Sequence, residues 1–525
     1  MPAVRVIPDL VVPLRDGTRT RADLYLPDTG HPCPTLLART PYSKVLTEKE
    51  LMLLNPLRAA RRGYAVVMQD CRGRFGSEGD FRPFFDEAGD GADSIAWCAA
   101  QPWSTGRVAT WGMSYYGATQ LLAASTSPPA LAAMAPVATP SRYDAGWFLE
   151  GGVLRQDFTD SWVGLLAGES ARRAGDRAVD LDRHAAWYAR VLEHRDDPRW
   201  WDPFAPDQHY PAVQVPGLHV TTWFDLFLEG TIANYVGLRS SAGSARARAG
   251  QRLVIGPGDH GLFTAALGEQ FYGHDWIPDL PNLHFRFFDR HLRARPDEAP
   301  PEPDEADPVS VYVLGADRWC SLPDWPPPAR PSVWHLGGAD ARSLRGDGSL
   351  SERVSPPTTP HIVVFDPRGP VPTLGGALLG LSRHRPGPFD QRVVEARPDV
   401  LVYTSPPLAE PLTIMGCVRA DVCAHADAAS FDLCVKLVDV DPSGRAVNLA
   451  DGVRRTRSGC RGPDAETVEV EIGSVAVVIG PGHRIRLEIA ASNWPRLELN
   501  PAGATRITVD PARSRLVLPV VDGLA

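Results

Sequence analysis

The chain has 525 residues, a formal charge of -9, 43% hydrophobic and 22% charged residues; this is the composition of a soluble globular protein too long for one compact core, and roughly two to four domains are expected. An acidic balance without a long basic run excludes nucleic acid as the main partner, because phosphate binding needs clustered lysine and arginine. No apolar run approaches membrane-spanning length, and residues 1–8 lack an apolar stretch behind a basic head, so neither a membrane span nor a secretory leader is expected.

In chain order, an Asp-Gly turn at 16–17 between alternating runs predicts a hairpin. Short apolar runs at 35–38 and 64–69 read as buried strands, with a helix predicted over 47–62 between them. A helical pattern at 90–101 leads into the run Val108-Ala109-Thr110-Trp111-Gly112-Met113-Ser114-Tyr115-Tyr116-Gly117, and 131–137 reads as another strand. From 141 to 213 the pattern turns helical and aromatic, with Trp147, Phe148, Trp162, Trp187, Tyr188, Trp200 and Trp201. Strand periodicity returns at 217–223 and 251–255. The Pro, Asp and Glu-rich stretch 296–308 reads as a linker, and beyond it short strands separated by Pro, Gly and Asp predict a β-sandwich of the jelly-roll kind. Alternating strands and helices make the first part an α/β protein. The expected division is an α/β core in two halves (1–140 and 215–296), a helical cap (141–214), a linker (297–308) and a β jelly roll (309–525). The eight cysteines are scattered without a C-x-x-C pair, so reduced thiols, no metal site and a cytoplasmic location are expected.

A strand that delivers a glycine-flanked serine onto a helix is a nucleophile elbow, the turn that exposes the serine of an α/β-hydrolase. Here Gly112 holds the first glycine position, but Tyr116 holds the second and Gly117 follows. A serine hydroxyl needs a histidine to take its proton and a carboxylate to hold that histidine in one tautomer. In this fold both follow strands, in the order Ser, Asp or Glu, His. Asp225 and His260 each follow an apolar run, and Asp259 is the rival acid. His284 and His291 lie in a helical pattern, while His335, His361, His425 and His483 lie in the β-region, so each reads as structural. The oxyanion needs two donors. The backbone N–H of Tyr115 is one, and the segment 39–42 after a strand could supply the other, with a buried structural ring as the competing reading of Tyr42. The loop 70–79 mixes glycines with charges, but no G-K-S/T follows; it reads as a salt-bridged turn and not as a phosphate loop.

These residues resemble the cocaine esterase-like hydrolases, a group allied to X-Pro dipeptidyl-peptidases and α-amino acid ester hydrolases. The shared blocks are Arg39-Thr40-Pro41-Tyr42, the loop 70–79, Gln101-Pro102-Trp103-Ser104, Gly112-x-Ser114-Tyr115-x-Gly117, Trp223-Phe224-Asp225, Gly256-Pro257-x-x-His260, Phe287-Phe288-Asp289, Lys436-Leu437-Val438-Asp439-Val440 and Pro481-Gly482-His483-Arg484, in order over nearly the whole chain. The resemblance implies an α/β-hydrolase core with an inserted helical cap and a C-terminal jelly roll. It also implies a Ser114, Asp225 and His260 triad, a Tyr42 O–H that completes the oxyanion hole with the Tyr115 N–H, and no cofactor. Trp147, Trp162 and Phe227 match its aromatic acyl pocket, with Leu379 a contribution from the jelly-roll side. The substrate implied is a small-molecule ester or amide, and a homodimer is implied by the resemblance alone. Peptidase, β-lactam or α-amino ester acylase, and acyltransferase activities are alternatives on the same triad; a catalytically silent scaffold is an alternative of another class. The chain departs from relatives at Gly258, where they carry a bulky tryptophan, and a looser or reshaped wall beside His260 is expected there.

Overall fold

The computed structural model describes residues 2–174, 186–293, 307–354, 359–379, 384–456 and 466–523. The core is a ten-stranded sheet. Its strands are β1 (Val4–Pro13), β2 (Arg19–Pro27), β3 (Cys33–Thr40), β4 (Ala65–Asp70), β5 (Ser104–Met113), β6 (Leu131–Val137), β7 (Leu218–Thr222), β8 (Arg252–Gly256), β9 (Val309–Val313) and β10 (Arg318–Leu322), in the order β1-β2-β4-β3-β5-β6-β7-β8-β9-β10. β1 and β2 pair antiparallel, β2 meets β4 antiparallel, and from β4 to β9 the pairs are parallel. Parallel strands with helices on both faces bury nearly every side chain. All six residues of β4 and all seven of β6 are buried, and each fully buried large aliphatic residue there, such as Val66 or Val137, contributes about 1.5–3 kcal/mol.

Among the helices are α1 (Glu48–Leu53), α2 (Pro56–Arg61), α3 (Glu87–Ala99), α4 (Tyr115–Ala124), α5 (Gln156–Ala174), α6 (Leu228–Ser241) and α7 (Leu280–Phe288), with shorter helical turns elsewhere. The single helix expected over 47–62 is two. Asn55 sits at φ 58°, its side chain accepts from the Arg58 N–H, and Pro56 opens the second helix where its missing N–H costs nothing. Between β6 and β7 the described residues form the helical cap, whose aromatic side chains pack with α4 and the loop after β7. No described helix is long and apolar enough to cross a membrane.

The second large sheet also has ten strands: β11 (Arg330–Gly337), β12 (Ser349–Ser351), β13 (His361–Phe365), β14 (Val400–Thr404), β15 (Leu412–Ala426), β16 (Asp432–Val440), β17 (Ala446–Arg455), β18 (Glu466–Ile479), β19 (Arg484–Ala490) and β20 (Thr505–Val520). The order is β17-β16-β19-β14-β12-β11-β20-β15-β18, with β13 also on β20. Its two ends approach closely enough that a Cβ on Gly452 would lie 1.9 Å from the Glu471 carbonyl oxygen, so the sheet nearly closes on itself. The α/β-hydrolase core, helical cap and C-terminal jelly roll expected from the sequence are present.

One boundary differs. Residues 309–322, placed by composition in the jelly roll, form β9 and β10 of the core sheet, with β9 parallel to β8 and β10 antiparallel to β9. Most of the Pro-rich stretch, 296–306, lies outside the described residues.

Inside the jelly roll, Glu395 and Glu488 are both buried beside Arg486 and Lys436. Arg486 bonds Glu395 at 2.6 Å, while Lys436 Nζ stands 3.7 Å from Glu488. Burial, reinforced by the neighbouring Glu395, pushes the Glu488 carboxyl up to about 8 from its ordinary 4.5. Between those values the native state holds a proton that the unfolded chain releases, so stability falls as pH rises through this window and levels off above it. The slope is at most about 1.4 kcal/mol per pH unit. Thermal melts from pH 5 to 9 should show this decline, and Glu488→Gln should flatten it; an unchanged slope in the variant would refute the assignment.

Candidate active site

β5 ends at Met113 and the next residue, Ser114, adopts φ 61° and ψ -123°, a left-handed conformation disfavoured for a side-chain-bearing residue. Its N–H donates to the Val137 carbonyl of β6 at 2.9 Å, and α4 begins at Tyr115. The displaced glycine has a steric origin. A Cβ on Gly117 would sit 2.7 Å from Thr139 Cβ, whereas the Tyr116 side chain runs under the turn and donates to Glu50 Oε1 at 2.6 Å. Gly112 is needed too, because a Cβ there would lie 2.6 Å from Tyr116 Cβ.

Asp225 follows β7 and His260 follows β8, and the two loops are zipped by backbone bonds. The Trp223 N–H donates to Gly256 at 3.0 Å and the Phe224 N–H to Gly258 at 3.1 Å. His260 stands at the tip of a tight hairpin in which Gly258 pairs with Phe263 and Asp259 with Leu262. Its Nδ1 is 3.2 Å from both carboxylate oxygens of Asp225, and both side chains are buried. Asp225 Oδ1 also accepts the Phe227 N–H at 2.6 Å. The rival Asp259 turns away, and its carboxylate accepts the N–H of Gly261 at 2.7 Å.

Of the looser or reshaped wall expected at Gly258, the loosening is not found. This residue has φ 149°, and a Cβ on it would lie 2.2 Å from the Leu262 carbonyl oxygen and 2.9 Å from Thr222 Cγ2. Backbone and a methyl group fill the place, and the wall beside His260 is instead the Phe227 ring, edge-on at 5.2 Å.

Tyr42 and the three predicted aromatic residues join this pair. Phe227 stacks on Trp147 at 4.7 Å, Trp147 meets Trp162 edge-on at 5.0 Å, and Trp162 Nε1 donates to the Tyr42 phenol oxygen at 2.8 Å. Tyr42 in turn packs edge-on against Tyr115, the residue after Ser114, at 6.4 Å. Leu379 packs against the edge of the same cluster. Tyr115 offers the site only its backbone. Its phenol donates to Glu87 at 3.0 Å and accepts the Phe84 N–H at 2.9 Å, while its own N–H opens the first turn of α4, where helical N–H groups lack an intrahelical acceptor.

Residues 16–262 match the model of the X-Pro dipeptidyl-peptidase (S15 family), and residues 304–517 match that of the X-Pro dipeptidyl-peptidase C-terminal non-catalytic domain. The chain is 34% identical to the cocaine esterase of Rhodococcus sp. (strain MB1 Bresler), over 94% of this chain and 92% of that protein. The chain belongs to the cocaine esterase family of serine hydrolases. Two solved structures share the fold of this family member: an aminopeptidase from a marine sediment Thaumarchaeota archaeon (TM-score 0.81, 22% identity, 99% of this chain and 96% of that one) and an α-amino acid ester hydrolase (TM-score 0.80, 23% identity, 98% and 97%).

Beneath the elbow of this hydrolase lies a charged layer that the sequence resolved only as a braced turn. Arg39, from the block before Tyr42, pairs with Glu87 at 2.9 Å with both side chains buried. Burial drives the Glu87 carboxyl upward against the pull of Arg39. In the loop 70–79, Arg72 is held by Asp90 and Asp16 at 2.7 Å each, and the wholly buried Arg74 donates to the Pro41 carbonyl at 2.7 Å. The loop is thus salt-bridged and positions the chain entering Tyr42. Phe84, which stacks on Tyr143 at 3.8 Å and packs on Tyr115 at 5.0 Å, and Arg155, whose guanidinium reaches the Leu226 carbonyl, were not singled out from the sequence. Neither carries a local pattern that marks it.

Proposed function

We propose that the protein is a carboxylesterase that cleaves a small-molecule ester of an apolar, aromatic acid through an acyl-enzyme. The observation that carries this reading is the buried Asp225–His260 pair with the Phe227 edge against the imidazole and the Trp147 and Trp162 rings beyond it. An ester-cleaving relative at 34% identity supports it.

His260 takes the Ser114 hydroxyl proton as the serine oxygen bonds the carbonyl carbon, and Asp225 stabilises the imidazolium that forms. The Tyr115 N–H and the Tyr42 O–H receive the charge that gathers on the carbonyl oxygen. The tetrahedral species collapses by breaking the ester C–O bond, and His260 returns the proton to the departing alcohol. Water then repeats both steps on the acyl-enzyme, with His260 first accepting and then donating the proton, which frees the acid and Ser114. The walls formed by Trp147, Trp162 and Phe227 suit an apolar acyl group and carry no charge for a free α-amino group, which favours an ester over a peptide substrate. The same reading needs no cofactor; with it we propose a cytoplasmic enzyme, supported by scattered cysteines without a C-x-x-C pair, and a homodimer, supported by the family resemblance alone.

Parallel assays with a p-nitrophenyl benzoate, an X-Pro anilide and an α-amino ester test the proposal. Turnover of the benzoate is expected to dominate, and exclusive cleavage of the anilide would overturn it. Tyr42→Phe keeps the ring and removes the donor, so kcat should fall by about 10²–10³ with KM little changed. A KM effect alone would instead make Tyr42 a wall residue.

A further inference from the structure

We propose that Arg155 is a positioning residue that sets the orientation of the Asp225 carboxylate and the spacing of the acyl-pocket rings, and that the jelly roll holds it in place through Glu150 and Arg496. The inference rests on the roles assigned above to Asp225 and to the aromatic wall.

Arg155 lies between the cap turn and α5, with its side chain 13% exposed. One nitrogen, Nη1, donates to two carbonyls at once: Leu226 at 2.6 Å and Gly146 at 2.7 Å. These carbonyls belong to the peptides that immediately precede Phe227 and Trp147, the two rings stacked at 4.7 Å. A single guanidinium therefore fixes the attachment points of both rings.

The Leu226–Phe227 peptide carries the effect to the acid. Its C=O accepts from Arg155 at 2.6 Å and its N–H donates to Asp225 Oδ1 at 2.6 Å. A peptide group is planar, so fixing the carbonyl at one edge fixes the direction of the N–H at the other. Hydrogen bonds at both ends polarise the same group and reinforce each other. Asp225 thus takes its orientation from His260 on one side and, through one peptide, from Arg155 on the other.

The second half of the guanidinium faces the jelly roll. Arg155 Nε donates to Glu150 at 3.1 Å; Glu150 accepts from Arg496 at 2.7 and 2.9 Å; and Arg496 pairs with Asp451 at 2.9 Å. Burial pulls the Arg155 guanidinium down while Glu150 holds its charge, and the two arginines together keep Glu150 below the usual carboxylate range despite burial. Lysine cannot replace this arrangement, because its point charge lacks the planar fork that meets carbonyl and carboxylate together.

The test compares wild type with Arg155→Met, Arg155→Lys and Glu150→Gln, using acetyl and benzoyl esters of one leaving group. Active sites are counted by fluorophosphonate titration, and melting temperature is recorded. Arg155→Met should lower kcat per titrated site about 10- to 100-fold on both esters and raise KM for the benzoyl ester only. Arg155→Lys should recover part of the kcat and none of the benzoyl KM, and Glu150→Gln should raise the benzoyl KM with a smaller loss of kcat. A lowered melting temperature with unchanged kcat and KM per site would overturn the proposal. Should wild type hydrolyse neither ester, the substrate reading fails, but the clamp is still read from the rates at which methyl and phenyl fluorophosphonates label Ser114. Equal wild-type and Arg155→Met rates for both probes would overturn it.

Discussion

Ser114→Ala is expected to lower kcat by about 10⁶-fold while the protein stays folded and keeps its affinity for ester. The hydroxyl makes no capping bond to α4, so its removal is expected to take away the proposed nucleophile and little else. The backbone makes the same point from the side of stability. Serine is held at φ 61°, ψ -123°, a conformation that costs about 1–3 kcal/mol outside glycine. Ser114→Gly should therefore melt above Ser114→Ala, by about 1 kcal/mol in stability, while being equally inactive. A strained residue whose relief stabilises the fold and ends turnover is retained for its chemistry. Mass spectrometry after fluorophosphonate treatment checks the assignment directly: the wild type gains the adduct on Ser114 and the alanine variant gains none. An alanine variant that is labelled, or that keeps more than about 1% of activity, would remove Ser114 from the mechanism.

The second large effect is expected of Asp225→Asn, about 10⁴-fold in kcat. Its size follows from the three contacts of the carboxylate. Oδ1 accepts the Phe227 N–H at 2.6 Å, so an asparagine keeps its carbonyl oxygen there and places its NH2 where Oδ2 stood, 3.2 Å from His260 Nδ1. A donor at that place forces Nδ1 to accept and moves the imidazole proton to Nε2. The nitrogen meant to receive the serine proton is then already protonated. The ¹⁵N shifts of His260 should report the switched tautomer, and KM should change only a few-fold. Asp259→Asn is the control, since its carboxylate serves the Gly261 N–H and not the imidazole. If that variant loses activity as Asp225→Asn does, the acid has been assigned to the wrong residue.

How legible the site was depends on how local its signals are. Ser114, Asp225 and His260 each follow a buried strand within a few residues, and a buried strand announces itself as an apolar run of its own residues. The aromatic wall was legible for the same reason, since tryptophans crowd one segment. Arg155 was not, because its partners lie 71 and 9 residues away at Leu226 and Gly146, and the anchor of its own partner Glu150 is 346 residues away at Arg496. A lone arginine next to a helix looks like any solvated one. The break at Asn55 was missed because a helical pattern of apolar residues continues through it, and only the positive φ at Asn55 and the proline ring beside it stop the helix. At Gly258 the sequence left two outcomes open: a missing side chain reads as space or as a changed wall, and here the backbone of Leu262 fills the space while the Phe227 ring stands beside His260.

The return of β9 and β10 to the core sheet has a bearing on how such enzymes can be recombined. The acidic, proline-rich stretch is the natural place to cut, and it would send Val309–Leu322 away with the jelly roll. β8, whose carboxyl end carries the His260 hairpin, would lose its neighbour, and Trp223, two residues before Asp225, would lose the Tyr312 carbonyl to which its indole donates at 2.8 Å. Two of the three residues proposed to react, Asp225 and His260, thus lean on chain that a composition-based border assigns to the other module. A crossover that exchanges one jelly roll for another belongs after Leu322, where the recipient keeps the strand that flanks β8 and, with it, the support of the His260 hairpin.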